Sequence, residues 1–289
     1  LRRDTRAQQS RDGNLMILVD GVETALVPAS DRGLSYGDGV FRTLAVLNGI
    51  PQHWLRHYAK LSSDCAAIGM RCPDETLFQK DLRGVCPTNP NCALKIIVTR
   101  GAAERGYAYA ETARPTRIVL SARLPNYPQT YVSRGVKVRR CQLKLAHQPA
   151  LAGIKHLNRL ENVLARAEWT GSDITEGVLC DVDDNVIGGT MTNLFVVNGE
   201  NLATPSLHRC GIAGVTRQRV LEAAARYGVA CEVRNLPLSD VLLADEIFLV
   251  NSLAGIWPVR EIDRKSFALG AVTRSVQQWL KQEDDAQMA

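Results

Sequence analysis

Apolar residues recur along this chain at two spacings, and the switches between them mark out its elements. Leu15-Met16-Ile17-Leu18-Val19 is a strand-like run that stops at the turn Asp20-Gly21. Residues 40–47 read as a second strand, closed by Asn48-Gly49. Leu55, Tyr58, Leu61, Cys65 and Ile68 then fall at helical spacing, with Gly69 near the stop. Residues 94–99 and 117–122 read as strands on either side of a Gly/Ala/Arg-rich loop, 100–114. The prolyl stretch Pro125-Asn126-Tyr127-Pro128 suits a domain linker. Beyond it, strands are predicted at 136–140, 177–181, 193–197, 230–233 and 246–250. Helices are predicted at about 158–169, with Leu160, Val163, Leu164 and Ala167 on one face, from near Thr216 to Tyr227-Gly228, and over 271–282.

Both halves mix strands with helices, so the pattern predicts an α+β (mixed α/β) fold in two domains. The expected boundaries are a loose polar tail at 1–14, a smaller N-terminal domain at 15–124, a linker at 125–135 and a larger C-terminal domain at 136–289.

Composition narrows the classes of function. The chain has 289 residues, 45% of them hydrophobic and 22% charged, which is enough for a sizeable core and excludes general disorder. The net charge of +5 comes from basic residues spread along the chain rather than in blocks, so no nucleic-acid partner is expected. No apolar run reaches the length of a membrane span, and from the charged, polar first residues no secretory signal is expected. The eight cysteines are scattered, with no Cys-x-x-Cys and no histidine cluster beside them. No metal site is expected; reduced thiols in a cytoplasmic protein are.

Lys155 stands between the apolar stretch Leu151–Ile154 and the helix that follows it. Apolar surroundings lower a lysine's pKa and make its amine nucleophilic, although a lysine snorkelling at a helix start would look the same. In Gly211-Ile212-Ala213-Gly214-Val215-Thr216, two glycines lead into a helix, an arrangement that binds phosphate or simply turns the chain. Asn251-Ser252 follows a strand end and could add a hydroxyl to the same anion. Tyr36-Gly37-Asp38-Gly39 allows close backbone approach, and the loop at 100–107 offers arginines and the Tyr107 hydroxyl to a carboxylate.

In their order along the chain these segments resemble the fold-type IV pyridoxal-phosphate (PLP) enzymes, the branched-chain and D-amino-acid aminotransferase group. The motifs are Asp31-Arg32-Gly33, Tyr36-Gly37-Asp38-Gly39, His57-x-x-Lys60-Leu61, Arg100-Gly101, Lys155, Thr192-Asn193-Leu194-Phe195 and Gly214-Val215-Thr216. The run from Lys155 through His156-Leu157-Asn158-Arg159-Leu160-Glu161, with Arg105-Gly106-Tyr107, is similar to the lyases of that group. Those enzymes eliminate pyruvate from an aminated cyclohexadiene to leave an aromatic amine.

The resemblance implies a D-amino-acid-aminotransferase-like architecture, a homodimer and pyridoxal 5'-phosphate in a cleft between the domains. It makes Lys155 the cofactor-bearing and proton-shuttling residue. Val215, Thr216 and Ser252 would hold the phosphate, and Arg105 and Tyr107 would meet substrate carboxylate. A small-substrate aminotransferase and a non-catalytic PLP-binding relative are the alternatives. Leu160 stands where branched-chain aminotransferases carry a Tyr. Two further positions depart from the group. Lys60 replaces the usual phosphate-binding Arg, giving a point charge in place of a bidentate fork. Gly188 stands where the group has a Glu facing the pyridine nitrogen.

Overall fold

The computed structural model describes residues 15–110 and 112–288, except for the Met288 side chain; the expected tail at 1–14 lies outside the described residues. The chain divides after Pro125 into two compact units.

The first unit contains β1 (Ile17–Val19), β2 (Val22–Glu23), α1 (Arg32–Tyr36), β3 (Gly39–Leu47), β4 (Ile50–Pro51), α2 (Trp54–Ala67), α3 (Glu75–Val85), β5 (Cys92–Thr99) and β6 (Thr116–Arg123). Its six strands form one antiparallel sheet in the order β2-β1-β6-β5-β3-β4. Side chains alternate across a strand, so β3 turns Val40, Arg42, Leu44 and Val46 to one buried face. Arg42 is the charged member of that row. A buried guanidinium needs a counter-charge, and Asp64 of α2 supplies it.

The second unit contains α4 (Gln129–Arg134), β7 (Val136–Leu145), α5 (Leu160–Arg166), β8 (Glu176–Asp181), β9 (Val186–Gly189), β10 (Asn193–Asn198) and β11 (Asn201–Pro205). It continues with α6 (Val215–Arg226), β12 (Cys231–Arg234), α7 (Leu238–Leu243), β13 (Glu246–Asn251), β14 (Gly255–Ile262), β15 (Lys265–Ser266) and α8 (Ala271–Met288). The sheet runs β12-β11-β10-β13-β14-β7-β8-β9, with β15 paired to β14. It is mixed: β11–β12, β14–β7 and β7–β8 are parallel and its other pairs antiparallel. Helices α6 and α8 cover one face through Val220, Ala223, Ala224, Val276 and Leu280. Phe195 and Phe248, directly opposite across β10 and β13, stack 5.0 Å apart beneath them.

Three expectations are corrected. Residues 125–135 are not a free linker. They carry α4, and Tyr127 and Tyr131 set their rings edge-on to the buried Trp257 at 4.8 and 5.3 Å. Helix α5 is shorter than 158–169, and its apolar row faces outward, with Leu160, Val163 and Leu164 all more than half exposed. The strand expected at 117–122 extends by a residue at each end. Among the described residues no helix is long and apolar enough to cross a membrane. All eight cysteines are free thiols, and six are buried.

Candidate active site

In the second unit Lys155 sits half-buried in the irregular segment ahead of α5. Two residues earlier, Gly153 forms an isolated parallel bridge with Ile212. The Gly153 amide donates to the Gly211 carbonyl at 3.0 Å, and the Ala213 amide to the Gly153 carbonyl at 3.1 Å. The lysine segment is thereby tied to the loop that opens α6, so the structure brings two of the sequence's candidates together.

That loop ends at the N-cap Gly214, and Gln218 is the first residue to bond back to it. The amides of Val215, Thr216 and Arg217 therefore stand outside the helical ladder at its positive end. The Thr216 hydroxyl lies 3.2 Å from the Ser252 hydroxyl. The Asn193 side chain fixes the loop, donating to the Ile212 carbonyl at 2.7 Å and accepting from the Gly214 amide at 3.2 Å. A Cβ on residue 214 would lie 2.4 Å from the Asn193 Oδ1, so glycine permits this close approach. Aligned amides, two converging hydroxyls and a bare backbone fit a phosphate-bearing group.

The Asn193 turn has its own support. Glu176, at the start of β8, is buried, and its carboxylate accepts from five donors. These are the amides of Gly177, Thr190 and Met191 and the hydroxyls of Thr190 and Thr192, at 2.5–3.2 Å. Asn162 of α5 donates to the Thr190 carbonyl at 2.9 Å, and Asn251 donates to the Met191 carbonyl at 2.6 Å. The 190–192 turn thus joins α5, β8, the end of β13 and the start of α6. Sequence reasoning missed Glu176. Its signal is a carboxylate opening a strand that is buried at every position.

Gly188 lies in β9 opposite Leu179. A Cβ there would meet the Thr192 carbonyl oxygen at 2.7 Å, so a side chain at 188 requires this turn to move. Glu176, the carboxylate brought to the same turn, has both oxygens engaged with those five donors.

His156, next to Lys155, contacts the Arg159 guanidinium. Burial, then the Arg159 charge, push its imidazolium down to about 4, so it is neutral at ordinary pH. Burial likewise lowers Arg159, to about 10.

In the first unit Lys60 of α2 pairs with Asp64, which also meets Arg42. Burial, then the Arg42 charge, push the Lys60 ammonium down to about 8. Arg42 and Asp64 are further residues not singled out from sequence. A charged residue on the inward parity of β3 was the available signal.

Arg105 and Tyr107 project from the segment between β5 and β6, both exposed, Tyr107 at 86%. The arginines of the expected carboxylate loop therefore part company. Arg100 turns inward and donates to Asp38 and to the Gly69 and Ile68 carbonyls, each at 2.8 Å. Arg105 remains at the surface.

The family model for amino-transferase class IV matches residues 39–262. An aminodeoxychorismate lyase of Vibrio harveyi is 34% identical over 266 residues, 91% of this chain and 98% of that protein. The crystal structure of 4-amino-4-deoxychorismate lyase from Pseudomonas aeruginosa superposes with a TM-score of 0.90 at 42% identity, covering 93% of this chain and 100% of that one. A hypothetical aminotransferase from Mycobacterium tuberculosis, in its PLP-bound form, shares the fold at 23% identity and a TM-score of 0.77, covering 95% of this chain and 100% of that one.

Proposed function

Because the chain belongs to the amino-transferase class IV family, we propose that it is a PLP-dependent 4-amino-4-deoxychorismate lyase, releasing p-aminobenzoate and pyruvate. One observation carries the reading. Gly153, two residues before Lys155, bridges the lysine's segment to the phosphate-fitting loop that opens α6; Lys155 begins the run through Glu161 that resembles the lyases, and Leu160 stands where branched-chain aminotransferases carry a Tyr.

Bound pyridoxal phosphate supplies the electron sink for the bond that breaks beside the substrate amine. The amides and hydroxyls of Val215, Thr216 and Ser252 hold its phosphate, and Lys60 adds a point charge. Lys155 Nζ takes the proton from the ring carbon that bears nitrogen. The enolpyruvyl oxygen leaves the neighbouring carbon with the electron pair of its bond, the ring becomes aromatic, and the released enolate takes up one proton at its methylene carbon to become pyruvate. Arg105 and Tyr107 orient the substrate through its carboxylates.

Gly188 is consistent with this division of labour. Transamination would call on the cofactor as a strong electron sink, which a carboxylate at 188 would support. Elimination that ends in an aromatic ring relies on it less. The decisive assay incubates the holoenzyme with aminodeoxychorismate and no keto acid. Equimolar p-aminobenzoate and pyruvate support the lyase. Turnover only with an amino acceptor marks an aminotransferase, and bound cofactor without product in either assay marks a non-catalytic relative.

Two smaller effects follow. Arg105→Ala is expected to raise KM or lower kcat by an amount worth roughly 1.5–3 kcal/mol, the value of one charge-assisted contact, with cofactor content nearly unchanged. Steady-state kinetics check this, and unchanged constants remove Arg105 from the site. The second effect is a pH dependence. Lys60 is cationic below its value of about 8 and loses its charge as pH rises through it. Cofactor affinity should therefore weaken severalfold from pH 7 to 9, and Lys60→Arg should flatten that fall. Equal pH profiles in cofactor titrations of both proteins would take Lys60 off the phosphate.

A further inference from the structure

We infer that Arg32 is the positioning residue of the 105–107 segment and sets how well substrate is recognised without touching it. Arg32 is 4% exposed, in a helix that is capped by Asp31, whose Oδ1 accepts from the Gly33 amide at 2.8 Å. The other oxygen of Asp31 accepts from the Thr99 and Thr116 hydroxyls at 2.9 Å, which anchors the helix to the ends of β5 and β6. From that base the Arg32 guanidinium reaches three successive carbonyls. Nη1 donates to Gly106 at 2.8 Å and to Ala108 at 3.2 Å, and Nη2 donates to Tyr107 at 3.0 Å. Nε donates to Asp38 Oδ2 at 2.8 Å.

The same carboxylate oxygen accepts from Arg100 Nε at 2.8 Å, and the two terminal nitrogens of Arg100 bond the Ile68 and Gly69 carbonyls just past the end of α2. Burial raises the Asp38 carboxyl, but the bonds from Arg100 and Arg32 outweigh it and hold it below its ordinary value. Rings complete the clamp. Tyr36 accepts from the Gly106 amide at 3.0 Å, and its ring lies 5.4 Å from that of Tyr107. The Arg100 guanidinium lies 3.7 Å from the Tyr109 ring centroid.

This arrangement has a purpose that core packing does not explain. The segment has no regular secondary structure around 105–109, and its side chains face outward. An unsupported loop would have to be ordered each time substrate binds, at a cost in affinity. Arg32 fixes the backbone in advance. A planar fork does this and an ammonium does not, because the carbonyls are spread along three residues. Both clamp arginines are engaged with protein acceptors, which leaves substrate contact to Arg105 and Tyr107.

The test compares the holoenzymes of wild type, Arg32→Lys, Asp38→Asn and a control, Arg117→Lys. Arg117 forms another buried ion pair of this unit, with Asp81 at 2.6 Å. Hydrogen exchange of the peptide spanning 104–110 should quicken at least tenfold in Arg32→Lys, by less in Asp38→Asn and not in the control. KM for aminodeoxychorismate should rise about tenfold in Arg32→Lys while kcat changes less than threefold, with full cofactor content. The kinetic arm rests on the lyase reading; the exchange arm does not. A wild type without lyase turnover defeats that reading and leaves the exchange result to decide the clamp. Unchanged exchange, or KM and kcat moving only as they do in the control, would overturn the inference.

Discussion

Lys155→Ala is expected to lower p-aminobenzoate formation at least a thousandfold while the protein stays folded. A positioned acid–base group is worth roughly 10²–10⁴ in rate, and this amine also anchors the cofactor, so both losses compound. The side chain is half-buried in an irregular segment outside the hydrophobic clusters of its unit. Its removal should therefore cost no more than about 1 kcal/mol of stability. Product formation and thermal melting, measured on the same preparation, separate the two. A variant with a tenth of normal turnover would mean that another group moves the proton.

The second large effect is on stability. Glu176→Ala removes a buried carboxylate that accepts from five donors, and each donor left without a partner costs roughly 1–3 kcal/mol before the turn rearranges. A net loss of about 3–5 kcal/mol is expected, or a fall in Tm on the order of 10 °C. The loss should reach the candidate site as well. The 190–192 turn leads into Asn193, and Asn193 holds the loop before α6. Cofactor retention should fall together with Tm. An unchanged melting curve would show that the turn is held by other contacts, such as those from Asn162 and Asn251.

What could be read from the chain, and what could not, follows from the range of the interactions involved. The glycine-led start of α6 and the small polar turn at 251–252 are local chemistry, legible wherever they stand. Lys155 became distinctive only through the order of motifs around it, since position alone also fits a snorkelling lysine. The clamp on the 105–107 segment was out of reach because Arg32 finds its carbonyls 74–76 residues away, and no spacing rule spans that distance.

Strand β14 is not among the expected strands, and it contains Pro258, which removes a ladder donor and is unusual in an interior strand. The fold accommodates it opposite Phe248, and the pairing with β7 shifts register just beyond, between Val259 and Glu261. The row of Leu160, Val163 and Leu164 shows the converse error. Apolar spacing locates a helical face, but it does not say whether this unit buries it.

Lys155 is the centre of the proposed PLP site, and borohydride trapping reads that directly. The holoenzyme is reduced with borohydride, digested, and its pyridoxyl-bearing peptide sequenced by mass spectrometry. A single adduct is expected, on Lys155, in the peptide that leads into α5. An adduct on Lys60 or any other of the eight lysines, with Lys155 unmodified, would contradict it.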